Sequence, residues 1–211
     1  MAKVLVIGAT GMLGRPIVVQ LVLDGFDVRV LSTNLNKARA YFGEDVEYAE
    51  GNVGNRESQK AAMQGCDYVY VNLKGGPTVK DYIRIEEDGS RNIYYATAVE
   101  TGIKKLVQIS EARADERHEF FIAHKVKVAA EKALKAAGLI YVILKPTWFC
   151  ESLPLMVRGN KATPVNLLAF FNKHDDSDVA GNPFDADALF GRSNTTLEEY
   201  ARMYRKIAKG V

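Results

Sequence analysis

Three evenly spaced glycines, Gly8, Gly11 and Gly14, carry the plainest chemistry in this sequence. They follow the apolar run Val4-Leu-Val-Ile and open a stretch that sets Met12, Leu13, Ile17, Val18, Leu21 and Val22 on one helical face. Strand, glycine turn and helix together make a phosphate site. Gly8 lets the chain leave the strand sharply. Gly11 puts no Cβ between the backbone and a pyrophosphate. Gly14 lets the helix pack closely. The N–H groups of the first helical turn, reached through Thr10, Met12 and Leu13, then face the phosphates with the helix's partial positive charge behind them. The spacing is G-x-x-G-x-x-G, not G-x-G-x-x-G, and a tight turn with no ligand would use glycine too. The early position, the strand before and the strand after decide for a nucleotide.

The end of that second strand, residues 27–33, selects the cofactor. An acidic residue there binds a ribose 2′-hydroxyl, and a basic one accommodates a 2′-phosphate. This chain has Ser32, Thr33 and Asn34, none of which repels a phosphate, with Arg15, Lys37 and Arg39 close by in sequence. NADP is therefore preferred over NAD, although Lys37 and Arg39 would equally suit an exposed helix face.

These positions need a scaffold. Short apolar strands are expected at residues 46–50, 67–73, 105–110 and 140–146, alternating with helices at 36–42, 79–101 and 119–137. Asn55 is placed to cap another helix, and Gly25, Gly43, Gly65 and Gly138 to end helices. That alternation predicts an α/β fold, a doubly wound parallel sheet with helices on both faces. Ligands of such sheets lie outside the carboxyl ends of the strands, so Leu73, Lys74, Gly75 and Gly76 should border the cofactor.

The whole chain bounds the answer. It has 211 residues, 47% hydrophobic and 26% charged, with a net charge of +2. That is ordinary for a globular domain and gives no reason to expect nucleic acid or membrane as partner. The two cysteines, Cys66 and Cys150, form neither a disulfide framework nor a metal set, so a reducing, cytoplasmic location is expected. Met1-Ala-Lys leads straight into the first strand, which leaves no room for a signal peptide. His174-Asp-Asp-Ser-Asp178 lacks a defined ligand spacing and reads as solvated loop, so no metal is expected.

Val-x-Gly-Ala-Thr-Gly-x-x-Gly-Arg near the start resembles the atypical and extended short-chain dehydrogenase/reductases, in particular the NmrA-like NAD(P)-binding proteins. The resemblance implies a Rossmann-like domain over residues 1–153 and a short segment over 154–211, a reduced substrate lobe with a closing helix. It sets Asn52 and Val53 beside the adenine ring, where relatives carry Gly-Asp-hydrophobic. It makes Asn92 a residue packing under the active site and Ser110 a candidate for the serine that polarises a carbonyl. It matches Lys127-Val-Ala-Ala-Glu131 to the lysine that holds the nicotinamide ribose, although Lys127 would equally suit an exposed face shared with Lys125, Lys132 and Lys135. The tyrosine that should precede that lysine falls at Ala123 or Phe121, and neither has a hydroxyl. Relatives usually show Arg where this chain has Thr33. Ile-Leu-Lys145-Pro146 resembles the family's Ile-Leu-Arg-Pro, which brings Pro146 to the cofactor and makes Trp148 and Phe149 apolar walls of a substrate pocket. Around residues 161–164 relatives carry several tens of residues more. Either this chain is compact or a segment is missing from it.

Without the phenol, an easily reduced acceptor such as a quinone is the favoured substrate, because its product anion needs less help from an acid. Lys127 would hold the ribose or act as acid. His118 and His124 could donate a proton, but a surface histidine at a helix start is the commoner case. The resemblance thus implies an NAD(P)H-dependent oxidoreductase of quinones or similar small electrophiles. The alternative is a non-catalytic NAD(P) redox sensor acting through a protein partner. A nucleotide-sugar epimerase would require the missing tyrosine. A homodimer is compatible with the family.

Overall fold

The computed structural model describes residues 1–100, 102–115 and 121–146. The chain divides into two compact units, Met1–Lys145 and Pro146–Val211. All of the second unit except Pro146 lies outside the described residues.

The strands of the first unit are β1 (Lys3–Ile7), β2 (Asp27–Ser32), β3 (Glu47–Glu50), β4 (Tyr68–Val71), β5 (Lys105–Ile109) and β6 (Tyr141–Leu144). Among the described residues they form one sheet in the order β3-β2-β1-β4-β5-β6, and every pairing is parallel. The expected doubly wound sheet is therefore present. The helices are α1 (Gly14–Leu23), α2 (Leu35–Phe42), α3 (Arg56–Met63), α4 (Val79–Tyr82), α5 (Gly89–Val99) and α6 (Ile122–Ala136). Between α4 and α5 the segment Ile83–Asp88 is π-helical. The helix predicted over 79–101 is thus helical as expected but carries a wide turn in its middle.

The period of two along each strand explains the two-sided core. Val4 and Val6 face one way and join Val18, Val28, Val30, Ala38 and Phe42 under α1 and α2. Leu5 and Ile7 face the other way and join Met63, Ile93, Tyr94, Leu106 and Leu134 under α3, α5 and α6. The helix boundaries have local causes. Asn34 caps α2 by accepting from Lys37 N–H at 2.9 Å, and Asn55 caps α3 by accepting from Ser58 N–H at 3.1 Å. Gly25, Gly43, Gly65 and Gly138 all take positive φ at helix ends, as predicted. Among the described residues no helix is long and apolar enough to cross a membrane.

The strand order reverses between β1 and β4, where β2 lies on one side and β5 on the other. Helices leave in opposite senses at that point and open a crevice at the carboxyl edge of the sheet. Gly8 ends β1 there, beside Asn72 at the end of β4.

Candidate functional site

At that edge Gly8 has φ +88°, and a Cβ on it would stand 1.9 Å from the Asn72 carbonyl oxygen. A Cβ on Gly14 would stand 2.2 Å from the Gly8 carbonyl oxygen. These two glycines are required by the turn itself. Gly11 differs. It is exposed, its N–H donates to the Gly8 carbonyl at 3.2 Å, and a Cβ would meet only that carbonyl oxygen, at 3.3 Å. Its other side is open, as a close approach to a phosphate requires. Thr10, Met12 and Leu13 complete the turn before α1. Arg15 turns back over it, its Nε 3.4 Å from the Gly11 carbonyl and its guanidinium 4.8 Å from the Tyr41 ring centre.

At the end of β2 the three polar residues have different tasks. Ser32 Oγ donates to the Asn34 carbonyl at 3.0 Å and accepts from the Asn34 N–H at 3.1 Å. The Asn34 side chain caps α2. Thr33 lies exposed between them, with Lys37 exposed one turn further on. Arg39 points elsewhere, over the Tyr48 ring at 4.6 Å.

At the end of β3, Asn52 Oδ1 accepts from Gly54 N–H at 2.8 Å, so its amide N–H groups remain to donate outward. The Val53 carbonyl accepts from Asn92 Nδ2 at 3.0 Å, and Asn92 Oδ1 accepts from Arg56 Nε at 2.7 Å. The structure thus places Asn92 against the loop after β3, where it ties α5 to α3.

At the end of β4 the loop 73–76 is held from two sides. Lys127 of α6, with its side chain 12% exposed, donates to the Leu73 carbonyl at 3.1 Å. Its ammonium also lies 2.9 Å from Oε2 of Glu86, in an ionic contact off the hydrogen-bonding direction. Glu86 Oε1 accepts from the Gly75 N–H at 2.5 Å. The reading of Lys127 as one exposed lysine on a lysine-rich face is corrected: it is largely buried and paired. Lys74 is exposed. The Tyr82 ring packs on Gly75, where a Cβ would come within 2.5 Å of it. Burial first, then the Glu86 and Glu111 carboxylates, push the Tyr82 phenol up from its usual range.

At the end of β5, Ser110 is buried and donates to Glu131 Oε1 at 2.5 Å. Lys145 stands 3.0 Å from the same oxygen. The proton a carbonyl-polarising serine would offer is therefore already held by Glu131. Lys127 and Glu131 lie one turn apart on α6, so one helix face serves the ends of β4 and β5 together. His124 lies on α6 as well. It is 2% exposed, its Nε2 is 3.3 Å from Glu111 Oε1, and it is packed edge-on against Phe121 at 5.5 Å. The expectation of a surface histidine is corrected, because the face of α6 that carries His124 turns inward. Pro146 begins the second unit. His118, Trp148, Phe149, Cys150, residues 161–164, the 174–178 loop and the closing helix lie outside the described residues.

Glu86 is not foreseen from the sequence, since Ile-Glu-Glu-Asp looks like a charged helix surface, yet Glu86 is buried on the face that Ser90, Ile93 and Thr97 continue. The pairing of Glu131 with Ser110 and Lys145 is not foreseen either. Its signal is the lysine at 145 together with a glutamate one helical turn after Lys127.

A parallel sheet with this strand order, whose glycine turn opens at the reversal point, is a dinucleotide-binding Rossmann domain. The family model described as NAD(P)H-binding matches residues 8–164, and the chain belongs to that family. It is 31% identical over 153 residues to the uncharacterized sugar epimerase YhfK of Bacillus subtilis, covering 68% of this chain and 71% of that protein. It is 32% identical over 164 residues to the photosystem II assembly factor Ycf39 of Synechocystis, covering 77% of this chain and 48% of that protein. The fold matches an NADPH-dependent quinone oxidoreductase of Escherichia coli, solved with NADPH, at a TM-score of 0.61 and 20% identity, over 76% of this chain and 53% of that one. The chain thus spans about half the length of the last two proteins.

Proposed function

We propose that the chain is an NADPH-dependent reductase of quinones or similar small electrophilic carbonyl acceptors, working without the family's tyrosine. The observation that carries this reading is the buried Lys127 ammonium, which bonds the Leu73 carbonyl beyond the carboxyl end of β4. The residues fit a dinucleotide from one end to the other. Thr33 and Lys37 meet the adenosine ribose, with room for a 2′-phosphate. The open side of Gly11 and the first turn of α1 take the pyrophosphate. Asn52 and Val53 border the adenine, and Lys127 holds the nicotinamide ribose.

Bound NADPH supplies the hydride. The chain's own part is to orient the nicotinamide and to steady the charge that forms on the acceptor oxygen. Two electrons and a proton would turn a quinone into the quinol anion, and a second proton from the Lys127 ammonium or water would complete the quinol. Ser110, tied to Glu131, braces the end of β5 without touching the acceptor. Such an arrangement suits an acceptor whose reduced anion is stable, and it does not suit epimerisation, which needs the phenol absent from Ala123 and Phe121.

The engaged Ser110 hydroxyl and the missing phenol also favour a second reading, a non-catalytic NAD(P) sensor acting on a protein partner. NADPH oxidation with a panel of quinones and aldehydes, run beside NADH, separates the two. Quinone-dependent turnover with NADPH supports the reductase. Micromolar NADPH binding with no turnover on any acceptor removes it and leaves the sensor.

A further inference from the structure

Glu86 is 3% exposed and sits at the end of a parallel sheet. A carboxylate so buried is costly unless donors and charges meet it. Two do. The Gly75 N–H donates to Oε1 at 2.5 Å, and the Lys127 ammonium lies 2.9 Å from Oε2. One comes from the loop after β4 and the other from α6, so a single side chain fastens both.

Residues Ile83–Asp88 form a π-helical turn, a rare conformation that recurs at functional sites. Glu86 is buried on the face that Ser90, Ile93 and Thr97 continue along α5, while Arg84 and Asp88 remain exposed. On that inward face an apolar side chain would fill the interior without a charge, and this chain places a carboxylate there.

Lys127 shows what the fastening achieves. An ammonium has three N–H groups. The Leu73 carbonyl takes one of them, and Glu86 faces the nitrogen as its counter-charge at 2.9 Å. The N–H groups not bonded to Leu73 are left for a ligand.

We propose that Glu86 is a positioning residue for the nicotinamide end of the cofactor. Through Lys127 and Gly75 it fixes the lysine's ammonium and the loop after β4 where both meet the nicotinamide ribose. The inference rests on the reading of Lys127 as the ribose-holding lysine and adds the residue that aims it.

The test compares two ligands. NADPH binding, followed by its nicotinamide fluorescence, is measured beside binding of 2′,5′-ADP, which carries the adenosine half alone. Glu86→Gln keeps the volume and can still accept from Gly75, but it offers Lys127 no charge. NADPH is expected to bind about tenfold more weakly, the scale of one charge-assisted hydrogen bond, with a smaller fluorescence gain. Binding of 2′,5′-ADP should stay within about twofold, a difference under half a kcal/mol. Glu86→Asp, which restores the charge, should recover part of the loss. If Glu86→Gln fails to fold, Glu86→Asp stands in for it, since its shorter carboxylate keeps the charge but draws it away from Lys127, and it should show the same selective loss in smaller measure. Unchanged NADPH binding in Glu86→Gln, or an equal loss of both ligands, overturns the proposal. Failure of the wild-type protein to bind NADPH overturns the cofactor reading and the proposal with it. NADPH binding without turnover removes only the reductase, and the positioning role is still read from the two ligands.

Discussion

The Lys127 ammonium stands 2.9 Å from Glu86 Oε2, and the two side chains are 12% and 4% exposed. Removing either partner leaves the other charge buried without its counterpart. Lys127→Met is therefore expected to lower the unfolding free energy by about 3–5 kcal/mol, toward the lower figure because the lysine keeps some contact with water. The double variant with Glu86→Gln should recover most of that loss. Urea unfolding of the wild type, both single variants and the double variant closes the cycle, and additive losses would show that the two groups do not interact. Any activity lost in a Lys127 variant must accordingly be expressed per folded molecule.

The three glycines of the first turn are expected to separate by role. Gly8→Ala forces a Cβ to 1.9 Å from the Asn72 carbonyl oxygen at φ +88°, and Gly14→Ala forces one to 2.2 Å from the Gly8 carbonyl oxygen. Each should lower stability by about 2 kcal/mol or more, the scale of backbone strain plus displaced packing. Gly11→Ala meets only one carbonyl oxygen, at 3.3 Å. It should melt within a few degrees of the wild type yet bind NADPH at least about tenfold more weakly, since its methyl enters the space left for the phosphates. Thermal melts and nucleotide titrations on the three variants decide this. Equal NADPH affinity in Gly11→Ala would move the pyrophosphate away from the turn.

Ser110 donates at 2.5 Å to a carboxylate that also holds Lys145 at 3.0 Å. Ser110→Ala removes one charge-assisted hydrogen bond and leaves the ion pair, so it should cost about 1.5–3 kcal/mol of stability. Its effect on kcat with a quinone should stay within a few-fold. A general polarising role would instead lower kcat by about 100-fold or more with stability little changed. Steady-state rates and a melt on the same preparation distinguish the two.

Burial pushes the Tyr94 phenol up to about 12, where its hydroxyl donates to Gln108 Oε1 at 3.2 Å between α5 and β5. Burial likewise pushes Tyr70 up to about 12. In each case the folded state holds the phenolic proton more tightly than the unfolded state, whose value is near 10. The stability tied to these groups is complete below pH 10 and falls as pH rises from 10 toward 12, by at most about 1.4 kcal/mol per pH unit for each tyrosine. Tyr94→Phe loses its hydrogen bond at every pH but should flatten that alkaline slope by about half. Denaturant midpoints between pH 8 and 11 measure it, and an unchanged slope would mean that the buried phenol does not titrate in this window.

The range of each interaction decides whether the sequence reveals it. Asn34 and Asn55 cap by bonding three residues ahead, and Gly43 and Gly65 take positive φ within their own turns, so both were legible from local spacing. The unbroken apolar run Val4-Leu-Val-Ile marked a strand with two buried faces, and the alternation of strands with helices supplied the layers that cover them. Glu86 was not legible, because a glutamate in a charged run is ordinarily exposed and its partner Lys127 arrives from another helix. His124 was misjudged because the partner that draws it inward, Glu111, lies beyond the end of β5. The missing phenol was visible at once, since an absent side chain needs no geometry.

In the proposed binding mode Thr33 carries the choice between the two nicotinamide cofactors. Its neighbours are engaged, Ser32 in the turn and Asn34 at the α2 cap, while Thr33 is exposed at the end of β2 with Lys37 exposed one helical turn away. A carboxylate at this place would accept from the ribose 2′-hydroxyl and repel a 2′-phosphate. Thr33→Asp is therefore expected to weaken NADPH at least about tenfold and to tighten NADH, while Thr33→Arg should move the ratio the other way. Ser32→Ala, which disturbs the turn without presenting a charge, should change both affinities together. Titration of each variant with both nucleotides measures the ratio. A ratio that does not move in Thr33→Asp would place the selector on Arg15 or Lys37, since these are the remaining basic groups near the turn.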